Sequence, residues 1–465
     1  MKRSIVLLVG CLFSILPAIA QTQTVTIKTS KAIGETMTLV VNDGSGVSVD
    51  WGNGAVKATT DTIVGTVAAQ SVVITGSKYW YWLDCSENKI TEIDLVQAQA
   101  LTNLYCQNNE LTNLRLLDNP NLEVLNCSNN LLSALPLSSS LNMIYLNCSN
   151  NQLVRLTLTK ATKMETCICA NNQISTLTNL ANCTDLKTLW CQGNQLTELR
   201  LGLMPLASLM CYDNKIKNII VTNEKTFSGI ETLICDNNKI PELDLSNCDE
   251  LVNLSCDNNG LTDITLPKIV STAHKLYLYS CANNKMGFND LPSNRSVINM
   301  LYSPQDEIVL PASVKIKTET VDLSKELKSY TGASVAKVEW YKADGTPLVI
   351  NTDYEMEEGI TTFLKEFPSV YSLIKSATYP DLTLKSTAMA VFDPLGIDGV
   401  EKNETGFTCI PQNGGILVSA ATKTKVSVCS INGSNVWNGT VGTDKQFIPL
   451  IKGIYAVNHV TVLVK

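Results

Sequence analysis

A cysteine followed three residues later by an asparagine recurs ten times in one stretch of this 465-residue chain, and no other feature constrains the fold as tightly. The cysteines are Cys85, Cys106, Cys127, Cys148, Cys169, Cys191, Cys211, Cys235, Cys256 and Cys281, at intervals of 21, 21, 21, 21, 22, 20, 24, 21 and 25 residues. Their asparagines are Asn88, Asn109, Asn130, Asn151, Asn172, Asn194, Asn214, Asn238, Asn259 and Asn284. Apolar residues stand five and two before the cysteine in almost every copy, and five, eight and ten after it, giving the unit LxxLxCxxNxLxxLxL. A unit this short cannot enclose its own apolar face, so successive units must stack and share a continuous core.

The unit resembles the leucine-rich repeat, with cysteine in a slot usually held by leucine. That resemblance implies a mainly β solenoid of about ten coils. In the strand around xLxCx, alternate side chains face opposite sides, so the leucine and the cysteine point into the coil. The asparagine turns inward where the strand ends, and its amide is expected to bond backbone groups of its own and the next coil. The residue just before it should face outward and tolerate alanine. A lap of about 21 residues lies near the short end of the family's range, leaving the convex side for turns, extended segments and short 3₁₀ pieces.

The ten cysteines therefore read as a structural core column, since cysteine behaves as a small hydrophobe. A ladder of disulfides is the rival reading. Stacked strands about 4.8 Å apart would permit it by α-carbon distance, but their parallel orientation opposes the required dihedral. A metal or catalytic thiol site would need converging histidines, and the chain has only His274 and His459. Cys183 and Cys248 each lie eight residues before a column cysteine and suit a second inward position, while Cys167 takes a leucine slot. Cys409 and Cys429 fall outside the repeat, either paired or free.

The repeat occupies residues 79–291, where it is expected to stop, and different text flanks it. Residues 1–20, MKRSIVLLVGCLFSILPAIA, read as a signal peptide, with Lys2 and Arg3 before an apolar run and Ala18-Ile19-Ala20 as the cleavage site. Lipidation at Cys11 would leave too short an apolar run before it. No later stretch approaches the ~20 apolar residues of a membrane span. Residues 21–78 alternate apolar and polar between glycine turns, suiting an N-terminal β cap for the first coil. The VDWGNG hairpin within them resembles a WGDG element of bacterial surface modules, with Asn53 where the aspartate would stand, which argues against calcium there. Residues 292–395 carry strand–turn–strand text around Trp340 and Tyr371 and resemble an immunoglobulin-like β-sandwich without its cysteine pair. Residues 396–465 form a C-terminal β domain that resembles the sorting domain of the type IX secretion system. The matching positions are Val426, Val428, Gly433, Val436, Gly439, Leu450, Gly453, Ile454, Tyr455, Val457 and Val462 to Lys465. The final hairpin departs from that pattern, with only Asn458, His459 and Val460 between its strands.

As a whole the chain resembles exported, secreted or cell-surface leucine-rich-repeat proteins of Gram-negative bacteria, internalin-like in the repeat region, which implies a recognition surface. A net charge of −7 without a basic cluster argues against nucleic acid. No HExxH, GxSxG, P-loop or GxGxxG is present, so the expectation is a non-enzymatic protein without cofactor, metal or catalytic residues. Residues three before, one before and one after each column cysteine should face the concave surface. The one-before column holds four successive large apolar residues, Ile168, Trp190, Met210 and Ile234, with Tyr105, Tyr145, Tyr212 and Trp82 nearby. Such an exposed strip marks a protein-binding site. The alternatives are a glycan stacking on Trp190 and Tyr212 beside Gln192 and Asp213, cover by another part of the chain, and a purely structural surface protein.

Overall fold

The computed structural model describes residues 22–159, 161–221, 225–267, 276–291, 297–328, 336–393, 407–412, 414–431, 434–457 and 460–464. The signal-peptide residues with Cys11, both histidines, Gly433, Asn458 and Lys465 lie outside them. The chain divides into two compact units. One comprises Met1–Ile240, Leu245–Ser255 and Pro267–His274; the other comprises Pro241–Asp244, Cys256–Leu266 and Lys275–Lys465.

In the first unit the repeat text becomes nine short parallel strands, from Trp82–Asp84 to Asn253–Ser255. Pairing is in register, so Leu125 lies against Leu104 on one side and Leu146 on the other. The middle residue of every strand is fully buried, and so is the cysteine two positions on. The residues between them are only half-buried in the strands from Trp82–Asp84 to Thr232–Ile234, as period-two alternation requires, whereas Ser255 in the last is buried. None of the described cysteines forms a disulfide, and those of the column are buried.

The column asparagines complete the coils. Asn151 Nδ2 donates to the carbonyls of Cys148 and Ser149 in its own coil, at 3.1 and 3.2 Å. The same nitrogen donates to Cys127 O at 3.0 Å, and Oδ1 accepts from Leu132 N at 2.9 Å. Asn130, Asn172, Asn194, Asn214 and Asn238 repeat this pattern. The bridge runs to the preceding coil, where the expectation was the next. The residue before each asparagine is also more constrained than its outward position suggests. Asn108, Asn129, Asn150, Asn171, Asp213 and Asn237 all have φ between 52° and 57°, and Gly193 has φ 65°. This left-handed region favours Asn, Asp and Gly, which accounts for the doubled asparagines of the sequence.

The N-terminal residues close the first coil. Strand Thr36–Val41 pairs antiparallel with Trp82–Asp84, turning the open end of the parallel sheet into a paired one. A separate sheet orders Ala55–Lys57, Val47–Asp50, Ser71–Gly76, Gln23–Thr29 and Ile90–Gln97, drawing its last strand from beyond residue 78. Trp80 is fully buried here, and its ring nitrogen donates to Trp82 O at 2.8 Å. In the VDWGNG turn, Asp50 accepts from the amides of Gly52 and Gly54 at 2.8 and 2.9 Å.

In the second unit the repeat continues past Leu291. Strand Val297–Leu301 pairs in parallel with Leu276–Ser280. Tyr302 then stands 21 residues after Cys281, and Gln305 stands 21 after Asn284. Gln305 Nε2 donates to Cys281 O and Tyr302 O at 2.8 and 2.7 Å, while Oε1 accepts from Asn284 N and Met286 N, each at 3.2 Å. These are the column asparagine's bonds made by a glutamine. The repeat therefore has a further coil, with tyrosine in the cysteine slot.

The sheets that follow in this unit enclose Trp340, which is fully buried, lies 4.9 Å edge-on to Phe363 and donates to Thr361 Oγ1 at 3.0 Å. One sheet is built on Ala336–Lys342 and Phe367–Ser376, the other on Tyr354–Glu357 and Ile360–Phe363. The loop at Tyr379–Asp381 seats against the last coil. Tyr379 stacks on Phe288 at 5.8 Å and donates to Leu291 O at 3.3 Å, and Tyr302 donates to Asp381 Oδ2 at 3.3 Å. Near the C-terminus, two small sheets share a core of Ile416, Val418, Val426, Val428, Ile448, Tyr455 and Val457. Cys409 and Cys429 lie in different sheets and are both free.

Candidate functional site

The strands put two columns of half-buried side chains on the open face of the sheet. In the N-terminal coils the position before the cysteine has a local task. Asp84 accepts from the amide and hydroxyl of Ser86 at 2.9 and 2.6 Å. Asn126 and Asn147 do the same with Ser128 and Ser149, with hydroxyl bonds of 2.8 and 2.7 Å. These side-chain turns satisfy backbone groups where each strand ends.

From the fifth coil the task is given up. Ile168, Trp190, Met210 and Ile234 take the position, and Ala170, Gln192, Tyr212 and Asp236 replace the serine. Direct backbone pairing sets Ile168 against Trp190, Trp190 against Met210, and Met210 against Ile234. The four side chains are half-buried, and the strip spans about 15 Å at the usual strand spacing. Trp190 is fixed by a bond from its ring nitrogen to Ser208 Oγ at 3.2 Å. Tyr212 follows Met210 on the same face.

The other aromatics are not drawn into this strip. Tyr105 lies 5.6 Å from Trp82 by ring centroids, and Asn126 and Asn147 stand between it and Ile168 in its column. Tyr145 pairs with Thr166, in the coil that carries Ile168. One residue that apolar patterning passes over is Gln192, two residues after Trp190. Its Oε1 is buried and meets no donor among the described residues.

Nothing in the column suits nucleophilic chemistry. Burial pushes the thiols of Cys127, Cys211 and Cys281 up to about 12, and those of Cys106, Cys148 and Cys191 well above the ordinary value. Such thiols stay protonated and unreactive. Among the described residues no group of three or more His, Cys, Asp or Glu could hold a metal ion, and no helix is long and apolar enough to cross a membrane.

The molecule is thus a leucine-rich-repeat solenoid with a cysteine column. No family model matches the chain, and no curated protein does either. Among solved structures it is similar to the functional domain of InlJ from Listeria monocytogenes, described as including a cysteine ladder. That match has 18% identity over 70% of this chain and 94% of that one, with a TM-score of 0.27. YopM from Yersinia pestis matches at 26% identity over 44% of this chain and 56% of its own, with a TM-score of 0.37. A leucine-rich-repeat protein of Leptospira interrogans matches at 21% identity over 50% and 76%, with a TM-score of 0.33.

Proposed function

We propose that this protein is an exported, non-enzymatic recognition protein that binds a protein partner through the open, concave face of its repeats. Ile168, Trp190, Met210 and Ile234 are the anchors in this reading, with Tyr212 beside them and Tyr105 and Tyr145 at the flank. One observation carries it. Where three of the first four coils spend this position on a turn that satisfies the backbone, four successive coils replace it with large apolar side chains facing solvent. That exchange gives up a local hydrogen bond worth about 1 kcal/mol per coil and exposes apolar surface, neither of which helps folding. A desolvating partner recovers both, and tryptophan is a frequent hot spot. Export rests on the leader text of residues 1–20. A sorting role for 396–465 rests on its resemblance, and intact-mass measurement of the released protein tests it: a C-terminus still at Lys465 would count against processing.

The binding test is selection of a random peptide library on phage against the immobilised full chain. Enriched clones should bind the parent protein but not the Trp190→Ala, Met210→Ala double variant, while Thr197→Ala with Lys215→Ala on the outer turns changes nothing. Circular dichroism should find the double variant folded, because these side chains carry no core load. Clones that bind both proteins equally would move the site off the strip. A glycan array run beside it, positive while the peptide selection enriches nothing, would favour stacking on Trp190 and Tyr212.

A further inference from the structure

The first coils carry an aromatic group of their own, apart from the apolar strip. Trp82 and Tyr105 stand on adjacent strands, with ring centroids 5.6 Å apart and planes tilted by 55°, and Tyr145 stands two coils beyond Tyr105. All three are half-buried on the open face. Trp82 is held through its backbone: its amide donates to Asn42 Oδ1 at 3.0 Å, and its carbonyl accepts from the ring nitrogen of Trp80 at 2.8 Å.

The free hydrogen-bonding groups among these rings are donors. Asn126 and Asn147 follow Tyr105 in its column and pair in register on neighbouring strands. Besides the serine hydroxyls, their Oδ1 atoms accept from backbone amides, Ser128 N at 3.2 Å and Ser149 N at 3.1 Å. A backbone amide can only donate, so the side-chain oxygen is committed to the turn and the Nδ2 group is the one left over. Among the described residues nothing accepts from Nδ2 of Asn126 or Asn147, or from Nε1 of Trp82, and none of these three nitrogens is closed off from solvent.

The complementary ligand offers apolar faces to the rings and acceptors to the nitrogens. A proline-rich chain does both, because proline lacks an N–H and a polyproline II helix leaves its carbonyls without internal partners. The repeat distances agree. Three residues of such a helix advance about 9.3 Å, and two coils, the step from Tyr105 to Tyr145, advance about 9.6 Å. Sugar hydroxyls donate as well as accept, and the amide oxygens that would receive them here are already taken by Ser128 and Ser149.

We infer that the open face of the first four coils is a second binding site, which takes a proline-rich segment of a protein partner lying across the strands as a polyproline II helix. Prolines pack on Trp82, Tyr105 and Tyr145, while carbonyls between them accept from Trp82 Nε1 and from Nδ2 of Asn126 and Asn147.

Labelled peptides of about twelve residues, one of proline alone and one alternating glycine and serine, test this by fluorescence anisotropy against the full chain, with a neutral glucose oligosaccharide as a third probe. The proline peptide should bind at least about tenfold more tightly than the glycine–serine peptide. Tyr105→Ala with Tyr145→Ala should abolish its binding, and Thr197→Ala with Lys215→Ala should leave it unchanged. Asn126→Asp with Asn147→Asp keeps the serine bonds, as Asp84 makes them with Ser86 in the first coil, but turns two donors into acceptors. That pair should weaken the proline peptide about tenfold, and it keeps the test decisive if circular dichroism finds the tyrosine variant unfolded. The inference is overturned if the glycine–serine peptide binds as well, if the aspartate pair changes nothing, or if a folded tyrosine variant still binds. The oligosaccharide binding where the proline peptide does not would make the face a glycan site instead. A proline peptide that fails while library clones still bind the strip would refute this site alone.

Discussion

The doubled asparagine divides two jobs between neighbours. Asn151 satisfies three carbonyls and one amide across two coils from a buried position, so Asn151→Ala strands groups that water cannot reach. We expect a loss of about 1–3 kcal/mol, read from the urea midpoint. Asn150 is exposed, yet alanine there is not neutral. Its φ of 54° puts it in the left-handed region, which costs an ordinary L-residue about 1–2 kcal/mol and asparagine less, because its short polar side chain bonds locally. Asn150→Ala should therefore lose about 1 kcal/mol and Asn150→Gly much less. Equal midpoints for the alanine and glycine variants would mean that the backbone strain is absent. Cys148 presents a third kind of site, fully buried with a thiol that need not ionise. Cys148→Ser puts a stronger polar group in the same dry space and should cost about 1–3 kcal/mol. If Cys148→Ser leaves the midpoint unchanged, the serine hydroxyl has found a partner that cysteine lacks.

The final coil is held by Gln305 and Tyr302, so the end of the repeat should loosen when either is cut back. Gln305→Ala removes four bonds to Cys281, Tyr302, Asn284 and Met286. Amide exchange should then quicken in residues 281–286 ahead of the earlier coils, and unchanged protection there would show that the glutamine is dispensable. Asp290 and Glu326 are both raised above the ordinary carboxylate value, chiefly by burial, and further by the charge of Asp263 on Asp290 and of Asp290 on Glu326. A raised acid is bound by protons more firmly folded than unfolded, so its stability contribution is full at low pH and lost as pH rises through the folded value. Glu326→Gln should accordingly raise the melting temperature at neutral pH and matter little in acid; a lower melting temperature at neutral pH would show that the carboxylate is stabilising. The ten cysteine-marked coils were legible because the same two residue types fill the same slots. The last coil was not, because its slots ask only for inward bulk and a two-way amide, which tyrosine and glutamine supply in different letters. The cap's strand text was legible too, whereas its pairing of Gln23–Thr29 with Ile90–Gln97 was not, since long-range partners leave no local signal. At the site, spacing alone placed the apolar strip. The turn bonds it displaces became visible only with coordinates.

Stacking thiols through the solenoid ties the fold to alkali. Burial holds the thiols of Cys127, Cys211 and Cys281 up to about 12, and Cys106, Cys148 and Cys191 well above their ordinary value. Unfolded cysteines release their protons near pH 8.5, so above that point the unfolded chain binds fewer protons than the folded one. Stability is then full below about pH 8.5 and falls as pH rises toward the folded values. Each thiol lowers it by up to about 1.4 kcal/mol per pH unit, and six together by about 8 kcal/mol per unit, against a net stability of about 5–15 kcal/mol for a typical domain. The repeats should unfold cooperatively between about pH 9.5 and 10.5, because coils that share one core cannot ionise one at a time. Thiolate absorbance near 240 nm and loss of the β circular dichroism signal should rise and fall together on titration under reducing conditions. Lysine and tyrosine also titrate near this range, so Cys127→Ala serves as the internal check: with one fewer thiol released on unfolding, its stability should fall less steeply with pH. Thiolate appearing near pH 8.5 while the β signal stays intact would mean that the column is open to water, and the packing that defines every coil would have to be redrawn.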